Sequence, residues 1–155
     1  MQHRVAVVGT AAIPVGPHQR LEDVSELPLE HEILGRLAVE ATKHAGIGKD
    51  DIDSLVCTHP REYTRQLYFS TFMANYLRLP CRAQVSEVIG NGMTGGLAFD
   101  RAMQDVEQGR ARVALALGVN METAVSAAEH MNRTMRATGD VDFHTPFGHL
   151  EEPHH

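Results

Sequence analysis

The chain has 155 residues, of which 43% are hydrophobic, so it is long and apolar enough for one domain with its own core. Lys and Arg number 14 against 20 Asp and Glu, giving a formal net charge of -6. This balance argues against a general nucleic-acid binder, which needs a positive field. No apolar run is long enough to cross a bilayer, and the two cysteines are too few for a disulfide framework, so we expect a cytoplasmic protein.

Short β-branched and apolar runs alternate with segments of helical spacing along most of the chain. In chain order, the pattern predicts a strand over 5–8, a helix over 29–45, a strand over 54–57, a helix over 66–77, a strand over 83–88, a helix over 97–107 and a strand over 112–119. This β-α-β-α-β-α-β order predicts an α/β fold with a mainly parallel sheet, right-handed crossovers and helices on both faces.

Glycines and apolar residues refine the helix predictions. Gly46 is placed as the C-terminal stop of the first helix, and Gly109 as that of the third. In the second helix, the residues predicted to be available for burial are Leu67, Phe69, Phe72, Met73, Tyr76 and Leu77. The pattern weakens after Asn120. We therefore predict a domain core over 1–123 and a helical and loop extension over 124–155, whose last residues are truncated or foreign to the native protein.

A glycine-rich turn over 90–96 lies between the third predicted strand and the third predicted helix. The start of a helix carries unpaired N–H groups and a partial positive charge, so it binds an anion or stabilises an oxyanion. The Gly90-x-Gly92-x-x-Gly95 spacing matches a dinucleotide motif, but it follows the wrong strand and lacks the acidic residue that binds ribose. The simplest structural alternative is that the glycines only allow close helix–sheet packing.

Several segments together resemble the N-terminal half of the thiolase superfamily, most closely the sterol-carrier-protein-type thiolases and the thiolase-like aldolases. The matching segments, in order over about residues 3–123, are Val5-Ala6-Val7-Val8-Gly9-Thr10, Ala41-x-x-x-Ala45-Gly46-Ile47, Asp50-Asp51-Ile52-Asp53 and Gly109-x-Ala111-x-Val113-Ala114-Leu115-Ala116-Leu117-Gly118. The resemblance implies a thiolase-like βαβαβαβ half and an acyl-CoA thioester as substrate, with no covalently bound cofactor.

The resemblance also identifies a missing nucleophile. An ungapped count from Gly109 and Gly118 places Gly92 where the family carries its reactive cysteine. The candidate substrate or oxyanion pocket is then formed by Asn91, Gly92, Met93, Thr94 and Gly95. Cys57 and Cys81 do not replace the nucleophile, because one lies at a strand end and the other follows Pro80, so both are interpreted as packed apolar residues. No catalytic residue is assigned in this chain.

The function implied is that of an acyl-CoA-handling thiolase-like domain of lipid or sterol metabolism that is inactive alone. One alternative is that the chain is part of a thiolase-fold aldolase or acyltransferase that needs no cysteine. Another is that it is a non-catalytic subunit that binds a partner. We expect a homodimer or a complementary thiolase half as partner. The chain has ten histidines, but they follow no tight Cys/His pattern, so no metal site is predicted.

Overall fold

The computed structural model describes residues 4–13, 29–58, 66–89 and 92–120, together with 126, 128–129 and 131. Its helices are α1 (Glu30–Ala45), α2 (Phe69–Tyr76) and α3 (Thr94–Glu107), and its strands are β1 (Ser54–Thr58), β2 (Gln84–Glu87) and β3 (Ala114–Gly118). A short 3₁₀ turn, Lys49–Asp51, leads into β1. Most of the extension predicted over 124–155, including most of its helical part, lies outside the described residues.

The three strands form one parallel sheet in the order β2-β1-β3. Val56 at the centre of β1 pairs in register with Ser86 of β2 and Ala116 of β3. Because α1 and α2 pack on one face of this sheet and α3 on the other, the predicted α/β class, parallel sheet and two-sided helix arrangement are confirmed.

The larger core lies between the sheet and the pair α1 and α2. It consists of buried residues from all of these elements: Leu34, Ala38, Leu55, Cys57, Phe69, Met73, Ala74 and Leu117. A smaller core on the opposite face joins Val56 to Ala98 and Ala102 of α3. The small alanines let α3 lie close to the sheet, which fixes the position of its first turn.

The strand predicted over 5–8 is absent from the sheet, so that prediction is wrong. Val7 and Val8 are 61% and 59% exposed, whereas a strand inside a parallel sheet would bury both. Instead, Gly9 lies against α1, and Thr10 is hydrogen-bonded to His44 at 3.2 Å. A β-branched run favours extended backbone, but only a neighbouring strand turns it into part of a sheet.

The boundaries of the second helix also differ from the sequence prediction. The second helix begins at Phe69 rather than at 66, because Tyr68 adopts a left-handed conformation with φ 53°. Leu67, which lies before this helix, is 76% exposed, and Tyr76 at its end is 47% exposed, so their predicted burial is wrong. The first helix ends at Ala45 as predicted, and Gly46 follows it with φ 70°.

Two buried carboxylates organise the end of the sheet where the strands begin. Asp105, fully buried on α3, accepts hydrogen bonds from Ser54 Oγ at 2.6 Å and from the Arg110 guanidinium at 2.7 Å. Asp53, which precedes β1, accepts the backbone N–H of Arg112 at 3.0 Å. Each carboxylate thus joins β1 to the segment that enters β3.

The carboxyl group of Asp53 is expected to make stability depend on pH in the acid range. The hydrogen bond from the Arg112 N–H is the main reason why the pKa of Asp53 lies below its ordinary value of 3.8. Folding therefore favours the ionised carboxylate over the protonated form. Its stabilising effect is present above about pH 3.8 and is lost as the pH falls through the lower folded pKa. Urea unfolding of Asp53→Asn should show about 1.5 kcal/mol less stability near pH 6 and a flatter acid limb. Asp100→Asn, at an exposed position of α3, is the control; equal acid limbs for Asp53→Asn and the unaltered chain would contradict the assignment.

Candidate ligand site at the start of the third helix

The first turn of α3 lies at the carboxyl end of the parallel strands. Asp105 near the end of α3 bonds Ser54 at the start of β1, so the helix runs opposite to the strands. From Ser54 to Thr58 a strand advances about 13 Å, which corresponds to about nine helical residues. Counting nine residues back from Asp105 places residue 96 beside the end of β1. The start of α3 and the strand ends therefore form one local surface.

The helix itself starts one turn earlier than the sequence predicted, at Thr94 instead of 97. Met93 is its N-cap and offers no side-chain hydrogen bond to the first turn. The N–H groups that open a helix have no partners within the helix, and the helix dipole places a partial positive charge at this turn. Gly92 comes immediately before the cap.

The glycines of this turn leave space that side chains normally fill. Among the described residues, no neighbouring atom lies within 4 Å of a Cβ atom placed on Gly92, Gly95 or Gly96. Gly92 lacks the positive φ found at Gly46 and Gly109, so its backbone conformation does not require glycine. The space therefore arises from the missing side chains rather than from strain in the chain.

The structure places the predicted pocket residues at this surface as far as it describes them. Gly92, Met93 and Gly95 are exposed, and Thr94 is half-buried. Asn91, predicted near the N-cap, lies outside the described residues. Met93 is 69% exposed, so an apolar side chain stands beside the open space at Gly92.

Neither cysteine has the environment of a nucleophile. Cys57 is fully buried in the core, and burial raises the pKa of its thiol to about 12. Burial also raises the pKa of Cys81. A reactive thiol needs a lowered pKa and access to solvent, so the interpretation of both cysteines as packed residues agrees with the structure.

Sequence reasoning missed one polar group near this edge. Thr58 ends β1 on the face that carries α3; its side chain is 6% exposed, and its hydroxyl oxygen has no hydrogen-bond partner in the described part of the chain. The oxygen itself is buried. Glu87, at the end of β2, lies on the opposite face, where its carboxylate accepts the Ser70 N–H at 3.5 Å. Glu87 pairs with Cys57 of β1, and successive side chains of a strand point to opposite faces of the sheet. Thr58 and Glu87 therefore lie on opposite faces, although each ends its strand.

The described residues contain no group of three His, Cys, Asp or Glu side chains that could hold a metal ion. Among the helices described here, none is long and apolar enough to cross a membrane. What remains at the site is an uncapped helix start, open space at three glycines and an exposed methionine. These features suit hydrogen bonding to a carbonyl or anionic oxygen.

Comparison with solved structures shows which fold this arrangement follows. The acetyl-CoA acetyltransferase from Syntrophomonas wolfei matches with a TM-score of 0.60 and 23% identity, over 71% of this chain and 27% of that one. Cerulenin-bound OleA from Xanthomonas campestris gives a TM-score of 0.56 and 16% identity, over 77% and 35% of the two chains. The priming β-ketosynthase of the R1128 polyketide pathway gives 0.53 and 17%, over 69% and 31%.

These likenesses show the fold, which is that of a thiolase-like half. No protein-family model matches the sequence, and comparison with curated proteins gives no match. The chain spans about a quarter to a third of the length of these three solved structures. It therefore corresponds to a part of the thiolase-like fold.

Proposed function

We propose that this chain is the N-terminal domain of an acyl-CoA-handling protein that binds its thioester without a cysteine nucleophile. The observation that carries the proposal is Gly92, which stands immediately before the uncapped start of α3 with open space around it. The acetyl-CoA acetyltransferase of the same fold is named for a thioester substrate, which supports this choice of ligand. A role in lipid or sterol metabolism, as in sterol-carrier-type thiolases, is the finer form of the proposal.

The chemistry available to the site follows from its donors. A thioester carbonyl placed before α3 would accept hydrogen bonds from N–H groups of the first turn, and the helix dipole would favour the partial charge on its oxygen. The same contact polarises the carbonyl carbon. No acyl-enzyme forms at residue 92, because glycine offers no atom to attack that carbon. The domain alone therefore binds and polarises the thioester but does not transfer the acyl group.

A thiolase-fold aldolase or acyltransferase is the second candidate, and the open space at Gly92 is what favours it. A missing side chain at this point makes room for a bulkier substrate than a cysteine would allow. Carbon–carbon cleavage next to a thioester needs an acid and a base, which the remainder of a full-length protein would supply.

The third candidate is a non-catalytic subunit that binds a partner. Its support is the pair of exposed apolar side chains at the start of α3, Met93 and Leu97, which are 69% and 38% exposed and share one face.

A binding experiment tests the preferred function. Isothermal titration of acetyl-CoA and of a longer acyl-CoA into the purified chain should give saturable binding, and a thiol-release assay with a 3-ketoacyl-CoA should give no turnover. Gly92→Leu fills the open space without straining the backbone, so it should weaken binding at least about tenfold, or about 1.4 kcal/mol. Gln108→Leu, at the exposed far end of the same helix, should bind like the unaltered chain. If Gly92→Leu and the unaltered chain bind acyl-CoA with equal affinity, the ligand does not bind at this site. Thiolysis by the unaltered chain at about 1 s⁻¹ would show that the domain is active alone.

A further inference from the structure

An open groove lies on the outer surface of the molecule, between α1 and the end of α2. Its volume is about 610 Å³, and its apolar lining consists of Gly35, Val39, Tyr76 and Leu77. The Tyr76 ring lies beside Gly35, where a Cβ atom would be 3.1 Å from Cε1 of the ring. Val39, one turn after Gly35, is 62% exposed. Gly35 thus keeps this part of the groove free of a side chain, and Val39 offers apolar surface beside it.

Charges of alternating sign follow the same face of α1. Glu32, Arg36, Glu40 and Lys43 are all exposed, and their spacing of three or four residues places them in one stripe. A solvated helix face with this charge order can form ion pairs within itself. Among the described residues, however, no ion pair joins any of the four, and Glu32 accepts only the Leu29 N–H. The charged stripe is therefore available to a partner.

The order of charges in the stripe is complementary to a second copy of itself in the opposite direction. When two identical helices pack antiparallel about a two-fold axis, residues at equal distances from the axis meet. With the axis between residues 37 and 38, Glu32 and Lys43 lie about 8 Å on either side of it. Arg36 and Glu40 lie about 2 and 4 Å from the axis, a mismatch that their long side chains can span. Every charge of the stripe then faces one of opposite sign.

The apolar part of the groove matches under the same axis. Gly35 and Val39 lie on the side of α1 next to Tyr76, whereas helical periodicity places Arg36 and Glu40 toward the other side. A two-fold axis perpendicular to both helices brings each side against the same side of the copy. Val39 of one chain would therefore meet Gly35 and Tyr76 of the other, while the Arg36 and Glu40 pairs form on the side away from α2.

We propose that the chain forms a symmetric dimer through the outer face of α1, with Val39 of each copy in the groove of the other. The occupant is a second copy because a partner of uniform charge would place like charges opposite half of the stripe, whereas the antiparallel copy satisfies all of it. Since α3 lies on the opposite face of the sheet, this interface leaves the candidate ligand site open. The proposal is therefore independent of acyl-CoA binding.

A charge-swap experiment, measured by sedimentation equilibrium, tests the α1 interface. The unaltered chain should show a reversible monomer–dimer equilibrium whose Kd rises as NaCl increases from about 50 to 500 mM, because salt screens exposed ion pairs. Arg36→Glu alone and Glu40→Arg alone should each raise the Kd at least about tenfold, since each change places like charges together in both symmetry-related pairs. An equimolar mixture of the two variants should form a heterodimer with a Kd within about threefold of the original, because opposite charges then meet in both pairs.

Two further variants separate this interface from other modes of association. Val39→Asp puts a charge into the groove and should raise the Kd at least about tenfold, whereas Asp100→Arg, the matched charge reversal at an exposed position of α3, should leave it unchanged. Circular dichroism should show that all these variants fold, because the altered residues are exposed. The proposal is overturned if the unaltered chain stays monomeric at about 200 µM. It is equally overturned if either single charge variant dimerises like the unaltered chain, or if their mixture stays monomeric.

Discussion

A cysteine introduced at position 92 is expected to react with iodoacetamide at neutral pH at least about a hundredfold faster than Cys57. Position 92 is exposed and precedes the positive end of α3, which lowers a thiol pKa, whereas burial raises the pKa of Cys57 to about 12. The thiolate is the reactive form, and its smaller fraction at Cys57 outweighs the greater intrinsic nucleophilicity of a more basic thiol. Open space around Gly92 and its ordinary φ allow the substitution without a folding defect.

The matched control for this experiment is Gln108→Cys at the C-cap of the same helix. Both positions are exposed, but residue 108 lies at the negative end of the helix dipole. If the helix start lowers the pKa by about one unit, Gly92→Cys should react about threefold faster than Gln108→Cys, after allowance for its lower nucleophilicity. Mass spectrometry of the labelled peptides measures all three rates. Equal rates at positions 92 and 108 would show that the helix start does not act on position 92.

Asp105→Ala is expected to destabilise the fold by about 3 kcal/mol, more than an ordinary surface substitution. The change leaves the buried Ser54 hydroxyl without its acceptor and removes the carboxylate that the Arg110 guanidinium contacts at 2.7 Å. Urea unfolding monitored by circular dichroism gives the free energy of unfolding. Asp105→Asn, which keeps an acceptor oxygen but not the charge, should lose about half as much.

Asp100→Ala provides the comparison for Asp105→Ala. Asp100 lies on the same helix, is exposed and bonds only the Gln104 side chain in the described residues, so its removal should cost no more than about 0.5 kcal/mol. Equal losses for the two variants would mean that the Asp105 network does not stabilise the joint between α3 and β1. Because that joint fixes the far end of α3, acyl-CoA binding by Asp105→Ala would report how strongly the site depends on it.

Local patterns were sufficient to predict most of the helices and strands. Apolar runs bounded by glycine and proline predicted β1, β2 and β3 to within two residues at each end. Helical spacing followed by Gly46 predicted α1, because a left-handed glycine ends a helix through its own backbone conformation. The placement of Gly92 before a helix that follows a strand also came from sequence, since strand, glycine turn and helix are adjacent in the chain.

Other features depended on contacts between distant segments, which local patterns do not encode. Residues 5–8 have the composition of a strand, yet they remain outside the sheet because strand formation requires a hydrogen-bonded neighbour. Leu67 fits an apolar helical face, but the left-handed Tyr68 delays the start of α2 to Phe69 and leaves Leu67 outside the helix. Asp105 has the sequence pattern of an ordinary polar helix position, and only the approach of Ser54 from 51 residues away buries it. Sequence thus predicted most of the elements and the place of Gly92 before α3, whereas tertiary packing decided which backbone segments and carboxylates found partners.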